Sequence, residues 1–230
     1  MVAQIAKDIF TEGIYTIDQA AHLARLSPRS LRRWFDAESG KEPALHRRIP
    51  QNDAEVLGFV DLVQALAVRA IRNTGKLSLQ KIRQTIIAAE NLGIKFPFAR
   101  KHQTFLFADD VVIRLPDERL IQVTGKYKSQ QLMKPVVELY LDDLSFDAIT
   151  GLAKEYIPLR DVGDERRIVI NPKIQYGAPV VMPGGHTVNA LVNAVDGEGS
   201  IEAAADIFEV PVAEVKFALR YEDVLGGMAA

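Results

Sequence analysis

The chain has 230 residues, 48% of them hydrophobic and 25% charged, which suits one large domain or two modest ones with real cores. It has no run of 18 apolar residues, and Met1–Phe10 lacks the basic start, apolar middle and small-residue end of a signal peptide. Neither a membrane span nor a leader is therefore expected. Cysteine is absent and His22, His46, His102 and His186 are scattered. Disulfides and thiolate metal sites are excluded, no histidine-built metal site is expected, and a reducing cytoplasm fits. The net charge of −2 hides a division: residues 1–101 hold 16 Lys+Arg against 10 Asp+Glu (+6), and residues 102–230 hold 12 against 20 (−8). Such asymmetry points to a half that faces nucleic acid and a half that faces something else.

Residues 14–100 read as nearly all helical. Thr16 caps a helix containing Ile17, Ala20, Ala21 and Leu23, and Ser27-Pro28 starts the next, with Leu31, Trp34 and Phe35 on one face. Ser39–Pro50, with Gly40, Pro43 and Pro50, reads as a loop or short hairpin. Val56, Phe59, Val60, Val63, Leu66, Ala67, Ala70 and Ile71 recur at helical spacing up to Gly75. Ser78 caps a further helix carrying Leu79, Ile82, Ile86 and Ala89, which ends near Gly93. Beyond Pro97 the runs Thr104–Phe107, Val111–Leu115 and Leu120–Thr124 read as a β-meander. A helix is expected over Gln131–Asp143, then a packed connector with Phe146, Ile149 and Leu152, and a turn at Asp161–Glu165. Arg167–Ile170 and Val180–Val181 read as strands. Helices Thr187–Val195, Ile201–Phe208 and Val212–Glu222 follow, the last two making a second helix-turn-helix-like unit.

The informative stretch is Tyr15–Trp34, YTIDQAAHLARLSPRSLRRW. A helix-turn-helix needs a small residue where its helices cross, here Ala21, and a sharp turn four residues later, here Arg25. It also needs an apolar residue on the inner face of the second helix, here Leu31. Burying Leu31, Trp34 and Phe35 turns Arg29, Ser30, Arg32 and Arg33 outward on the first turns of the second helix, the part that enters a major groove. Arginine there can hold phosphate or pair with guanine. Ser27 and its helix N-terminus can meet a phosphate, and Arg25 can add another such contact.

Residues 14–95 resemble the N-terminal domain of the MerR-type regulators. The resemblance rests on Tyr15-Thr16-Ile17, Ala20-Ala21 and Ser27-Pro28-Arg29-Ser30-Leu31-Arg32-Arg33-Trp34, then on Asp61-Leu62-Val63 and Leu77-Ser78-Leu79-Gln80-Lys81-Ile82-Arg83. It implies that residues 39–50 form a backbone-gripping wing, with Lys41, His46, Arg47 and Arg48 at phosphates. The chain departs from that family in having no long coiled coil after Leu92 and no sensing cysteine. Ile168-Val169-Ile170-Asn171-Pro172-Lys173-Ile174, Gly177-Ala178-Pro179-Val180-Val181, Ser200-Ile201-Glu202-Ala203-Ala204-Ala205 and Val215–Tyr221 resemble the domain of unknown function 433. Pro183-Gly184-Gly185-His186 stands where that family usually reads Gly-Thr-Arg-Ile. The combination is similar to the longer VapB-type antitoxins. It implies a PIN-type ribonuclease toxin as partner, a homodimer, and repression of the protein's own operon through double-stranded operator DNA. Because Gly226–Ala230 is short and uncharged, any inhibition would use a folded surface. Arg166, Arg167 and Lys173 are either contacts there or solvated charges.

The expected fold is α+β and mostly helical. A winged helix-turn-helix occupies residues 1–100, a β-meander and helix connector 101–165, and a β-hairpin with three helices 166–230, the last for dimerisation and toxin binding. Catalytic residues and cofactors are not expected: the pairs Asp109-Asp110 and Asp142-Asp143 are sequence neighbours that point to different sides of an element, and no nucleophile elbow or phosphate-cradling glycine motif is present. A MerR-like transcription factor sensing a small ligand through residues 104–160, without a toxin partner, is the alternative.

Overall fold

The computed structural model describes residues 13–36, 43–45, 56–73, 77–101, 104–107, 110–114, 120–122, 134–135 and 143–226. The fold is α+β. The chain divides into two compact units, Met1–Ala153 and Lys154–Ala230, so the boundary falls inside the stretch expected to be a connector.

In the first unit, β1 (Tyr15–Thr16) pairs antiparallel with β2 (Val56–Leu57), Tyr15 facing Leu57. Between them lie α1 (Ile17–Leu23) and α2 (Pro28–Phe35), and after them α3 (Phe59–Asn73) and α4 (Leu79–Asn91). The long helix expected to start near Val56 thus begins three residues later. Gly58 breaks the run, and its N–H donates to Asp61 Oδ2 at 3.0 Å, so that a side chain from the first turn closes the helix start. Such help is needed because α3 is buried nearly all round. Phe59, Leu62, Val63, Ala65, Ala67, Val68 and Ile71 are inaccessible, as expected for a helix at the centre of a core. Phe98 and Ala99, in the 3-10 turn Pro97–Ala99, are fully buried, and that turn packs on α3.

The meander is present as β3 (Thr104–Phe107), β4 (Asp110–Arg114) and β5 (Leu120–Gln122). A fourth strand, β6 (Lys134–Pro135), joins it, and the antiparallel order is β5-β4-β3-β6. This corrects the helix expected over 131–143: Lys134 and Pro135 pair with Leu106 and Phe105. Proline lacks the N–H an interior helical turn requires and pushes the residue before it toward extended geometry. The rest of that stretch, apart from Asp143, lies outside the described residues. Next comes β7 (Leu144–Phe146), followed by a turn closed by Asp147, whose Oδ1 accepts from the Ile149 and Thr150 N–H groups at 3.1 and 2.8 Å.

The second unit uses β8 (Ala153–Arg160), β9 (Arg167–Ile170), β10 (Val180–Met182) and β11 (His186–Thr187), antiparallel in the order β11-β10-β9-β8. The eight-residue β8 replaces the expected connector. Its pairing with β9 shifts register between Tyr156 and Leu159, the stretch that contains Pro158, which is where a donor-less residue is tolerated in a strand. The three expected helices are present as α5 (Val188–Glu198), α6 (Ile201–Ile207) and α7 (Val212–Gly226). Thr187 and Ser200 cap α5 and α6, and Gly199 closes α5 at φ +73°. The core joins Ile168 and Val181 of the sheet to Val188, Leu191, Ala204, Ala205, Val215, Phe217, Ala218, Tyr221 and Leu225 of the helices.

Two carboxylates of this unit are perturbed in opposite directions. Partial burial alone would raise Asp161, but hydrogen bonds from Arg166 (3.1 Å) and Arg220 (3.2 Å) outweigh it and hold the carboxyl below its usual range. Glu214 is buried on the first turn of α7 against Gly184, where any side chain would strike its carboxylate. Burial raises its pKa, and Oε2 has no hydrogen-bond partner among the described residues. A carboxyl whose folded pKa lies above its unfolded one carries a penalty that appears as pH rises from the unfolded value toward the folded one. Glu214→Gln should therefore raise Tm at pH 7, with the gain shrinking as pH falls from the raised folded value toward about 4.3, the unperturbed glutamate value. Thermal melts of both proteins from pH 4 to 8 check this, and an equal gain at all pH values would contradict it.

Candidate nucleic-acid interface

The geometry of α1 and α2 follows from caps. Thr16 Oγ1 accepts the Gln19 N–H at 3.2 Å, and Gln19 Oε1 accepts the Thr16 N–H at 2.9 Å, so two donors at the head of α1 are satisfied reciprocally. At the other end Arg25 N–H donates to His22 O at 3.0 Å and Leu26 N–H to Ala21 O at 2.8 Å. This paired closure requires a left-handed residue just past the helix, and Arg25 takes it at φ +51°. Ser27 then caps α2 by accepting the Ser30 N–H at 3.2 Å, while its hydroxyl donates to Ser30 Oγ at 2.9 Å, and Pro28 takes the first helical position.

Ala20 and Ala21 are fully buried where the helices meet, and Leu31, Trp34 and Phe35 are buried on the inner face of α2. Arg29, Arg32 and Arg33 are exposed, at positions i, i+3 and i+4 of one short helix, with exposed Ser27 at its start. Arg25 and Ser30 are half-buried at the edge of this face. Asp18 Oδ1 stands 3.7 Å from Arg32 Nη2, and so exposed a pair binds weakly. Six of the ten residues singled out in the sequence are thus gathered along one turn and one helix. The other four, Lys41, His46, Arg47 and Arg48, lie outside the described residues, as does most of the expected wing. Of that loop Pro43–Leu45 is described: Ala44 and Leu45 are buried and Leu45 N–H donates to Trp34 O at 2.7 Å, returning the chain to α2.

Pattern reading did not reveal Arg69. This α3 residue sends Nη1 across 45 positions of sequence to the carbonyl of Ala24, at 2.7 Å. No local spacing connects the two positions.

The same backbone device occurs again 184 residues later. Ser200 caps α6 as Thr16 caps α1. Glu209 is left-handed at φ +52°, its N–H donates to Asp206 O, and Val210 N–H donates to Ala205 O. Ala205 and Val215 are buried where Ala21 and Leu31 are. The charges are opposite. Residues 16–35 carry four Lys+Arg and one Asp+Glu, whereas residues 200–219 carry one and four. Glu209 replaces Arg25, and Glu214 replaces Ser30.

Among the described residues, no helix is long and apolar enough to cross a membrane, and no three His, Cys, Asp or Glu side chains group as metal ligands.

Two comparisons with known proteins bear on the chain. It is 25% identical over 231 residues to a Mycobacterium tuberculosis H37Rv protein named "Putative antitoxin VapB45", across 91% of this chain and 94% of that one. It shares its fold with the crystal structure of Rv2018 from Mycobacterium tuberculosis, at TM-score 0.61 and 22% identity over 90% of this chain and 98% of that one. No family model matches the chain.

The left-handed residue makes the turn testable. A side chain in that conformation costs about 1–2 kcal/mol, so Arg25→Gly should gain up to about 1 kcal/mol after the added freedom of the unfolded chain is subtracted. Arg25→Val should lose at least about 1 kcal/mol, since a β-branched residue fits there worst. Urea unfolding should rank the variants Gly, Arg, Val in falling stability. A valine variant as stable as the glycine variant would contradict the turn.

Proposed function

We propose that the chain is a DNA-binding antitoxin that recognises its own operator through α2 and neutralises a partner toxin. The observation that carries the DNA-binding half is the division of α2: Leu31, Trp34 and Phe35 are buried while Arg29, Arg32 and Arg33 stand in solvent at the head of a capped helix. A short helix with cations on its outer face suits a major groove between phosphate walls. The exposed Asp18–Arg32 pair is weak enough for a phosphate to displace. The MerR-like reading of residues 14–95 adds a wing, with Lys41, His46, Arg47 and Arg48 at the backbone.

The antitoxin half draws on the likeness to the relative named for that role and on the opposite charge of the two turn units. Residues 200–219 have the same backbone geometry but a net charge of −3, against +3 for residues 16–35. Such a face repels phosphate, so the C-terminal unit, read as a domain of the 433 type, suits a protein partner. On this reading that partner is a PIN-type ribonuclease, the chain acts as a homodimer, and it is a regulator of its operon rather than a catalyst.

The test is binding of the purified protein to a labelled duplex from the DNA upstream of its own coding region, across a range of salt. Log affinity should fall linearly with log salt, with a slope of about −0.9 for each phosphate held. Arg32→Ala/Arg33→Ala should weaken binding at least tenfold and flatten that slope, with Tm unchanged because both side chains are exposed. A double variant that binds as tightly as the parent would remove α2 from the interface. Tagged protein drawn from its host should bring a ribonuclease with it in stoichiometric amount, and firm operator binding without any protein partner would leave a stand-alone repressor.

A further inference from the structure

We infer that Arg69 is a positioning residue for the DNA-facing turn: it holds the end of α1, and through it the angle at which α2 presents its arginines. This rests on the DNA-binding reading above. Helix α1 has only seven residues, too short to persist by its own hydrogen bonds. Its last carbonyls are the groups a helix end leaves without an internal partner. Ala21 O and His22 O are taken up by the turn itself through Leu26 and Arg25. Ala24 O, one residue farther on, is taken by Arg69 Nη1 at 2.7 Å. The bond is charge-assisted and places a cation at the negative end of the α1 dipole, two effects of the same sign.

The position of Arg69 gives the bond leverage. Its neighbours on α3, Val68 and Ile71, are fully buried, so its backbone cannot shift without opening the core. Ala24 immediately precedes the left-handed Arg25, the residue where the chain reverses into α2. One hydrogen bond thus ties the pivot of the turn to the most deeply packed helix of the unit. Arg69 is half-buried and does its work on a carbonyl, not on a phosphate. A second arginine of α3 does the same on the other side: Arg72 Nη1 donates to Leu77 O at 2.9 Å, just before the Ser78 cap of α4. Helix α3 therefore grips the segments on both flanks by their carbonyls.

A positioning role and a phosphate contact make different predictions. Arg69→Met keeps the aliphatic length and removes the donors, and Arg69→Lys keeps a shorter, cationic donor. With the upstream duplex as probe, Arg69→Met should bind at least tenfold more weakly while the slope of log affinity against log salt stays at the parent value. Arg69→Lys should recover part of the loss. Independently of DNA, amide hydrogen exchange of Leu26 should quicken at least tenfold in Arg69→Met while that of Ala67 on α3 is unchanged. A slope reduced by about 0.9 would make Arg69 a phosphate ligand and overturn the inference. Parent-like exchange at Leu26 would also overturn it, whatever the DNA does. Failure of the parent itself to bind duplex would sink the DNA-binding reading, and the exchange measurement would still decide whether Arg69 holds the turn.

Discussion

The face that α2 turns outward depends on one contact, the meeting of α1 and α2 over the fully buried Ala20 and Ala21. Neither helix is long enough to stand alone: seven and eight residues supply three or four internal hydrogen bonds each, against the cost of ordering every backbone unit. What holds them is burial of Ile17, Leu23, Leu31, Trp34 and Phe35 at the interior, at about 1.5–3 kcal/mol per large apolar side chain. Because burial selects that face, the arginines have no alternative to solvent. The outward basic ridge is a consequence of packing before it is anything else.

A second constraint comes from α3. A helix buried over most of its length must bring its own polar solutions with it, and Asp61 reaching back to the Gly58 N–H is one. Arginine serves at the other end, where Arg69 and Arg72 satisfy carbonyls of segments on either side. Guanidinium suits this because its aliphatic stem lies along apolar surface while its fork reaches an acceptor. Arg100 does the same for Lys95 O and Thr150 O, so the unit commits three of its arginines to its own backbone, while Arg29, Arg32 and Arg33 of α2 stay exposed.

How legible this was depended on range. Local chemistry was readable at the first unit's helices: Thr16, Ser27 and Ser78 all cap the helices that follow them. The α1–α2 turn was readable down to the left-handed Arg25, because small residue, turn and apolar residue fall at fixed spacing. Strand β8 was not, since Lys154, Glu155, Pro158 and Arg160 hide its alternation, and the register shift that admits Pro158 is fixed by the neighbouring strand. The helix expected across 131–143 overvalued apolar spacing against a single proline. The Ala24–Arg69 bond was invisible for a different reason: it is a tertiary contact over 45 residues, made by a side chain whose residue type alone suggests only a solvated charge.

The repeated turn shows how little of a function such backbone geometry carries by itself. Two segments 184 residues apart share a cap, a left-handed pivot, a paired helix closure and the same buried positions, yet their net charges are +3 and −3. Function on a shared scaffold lies in the side chains it presents. A phosphate 4 Å from an exposed guanidinium gains about 1 kcal/mol even in bulk water, and loses as much beside a carboxylate. Summed over several side chains, that sign sets two turns of the same backbone geometry apart in what each would attract. In the acidic copy, Glu214 takes the place of Ser30 and is buried against Gly184, where a carboxylate costs stability instead of lending it. The two copies thus present different chemistry on one backbone geometry: a half-buried serine in one stands where the other has a buried carboxylate.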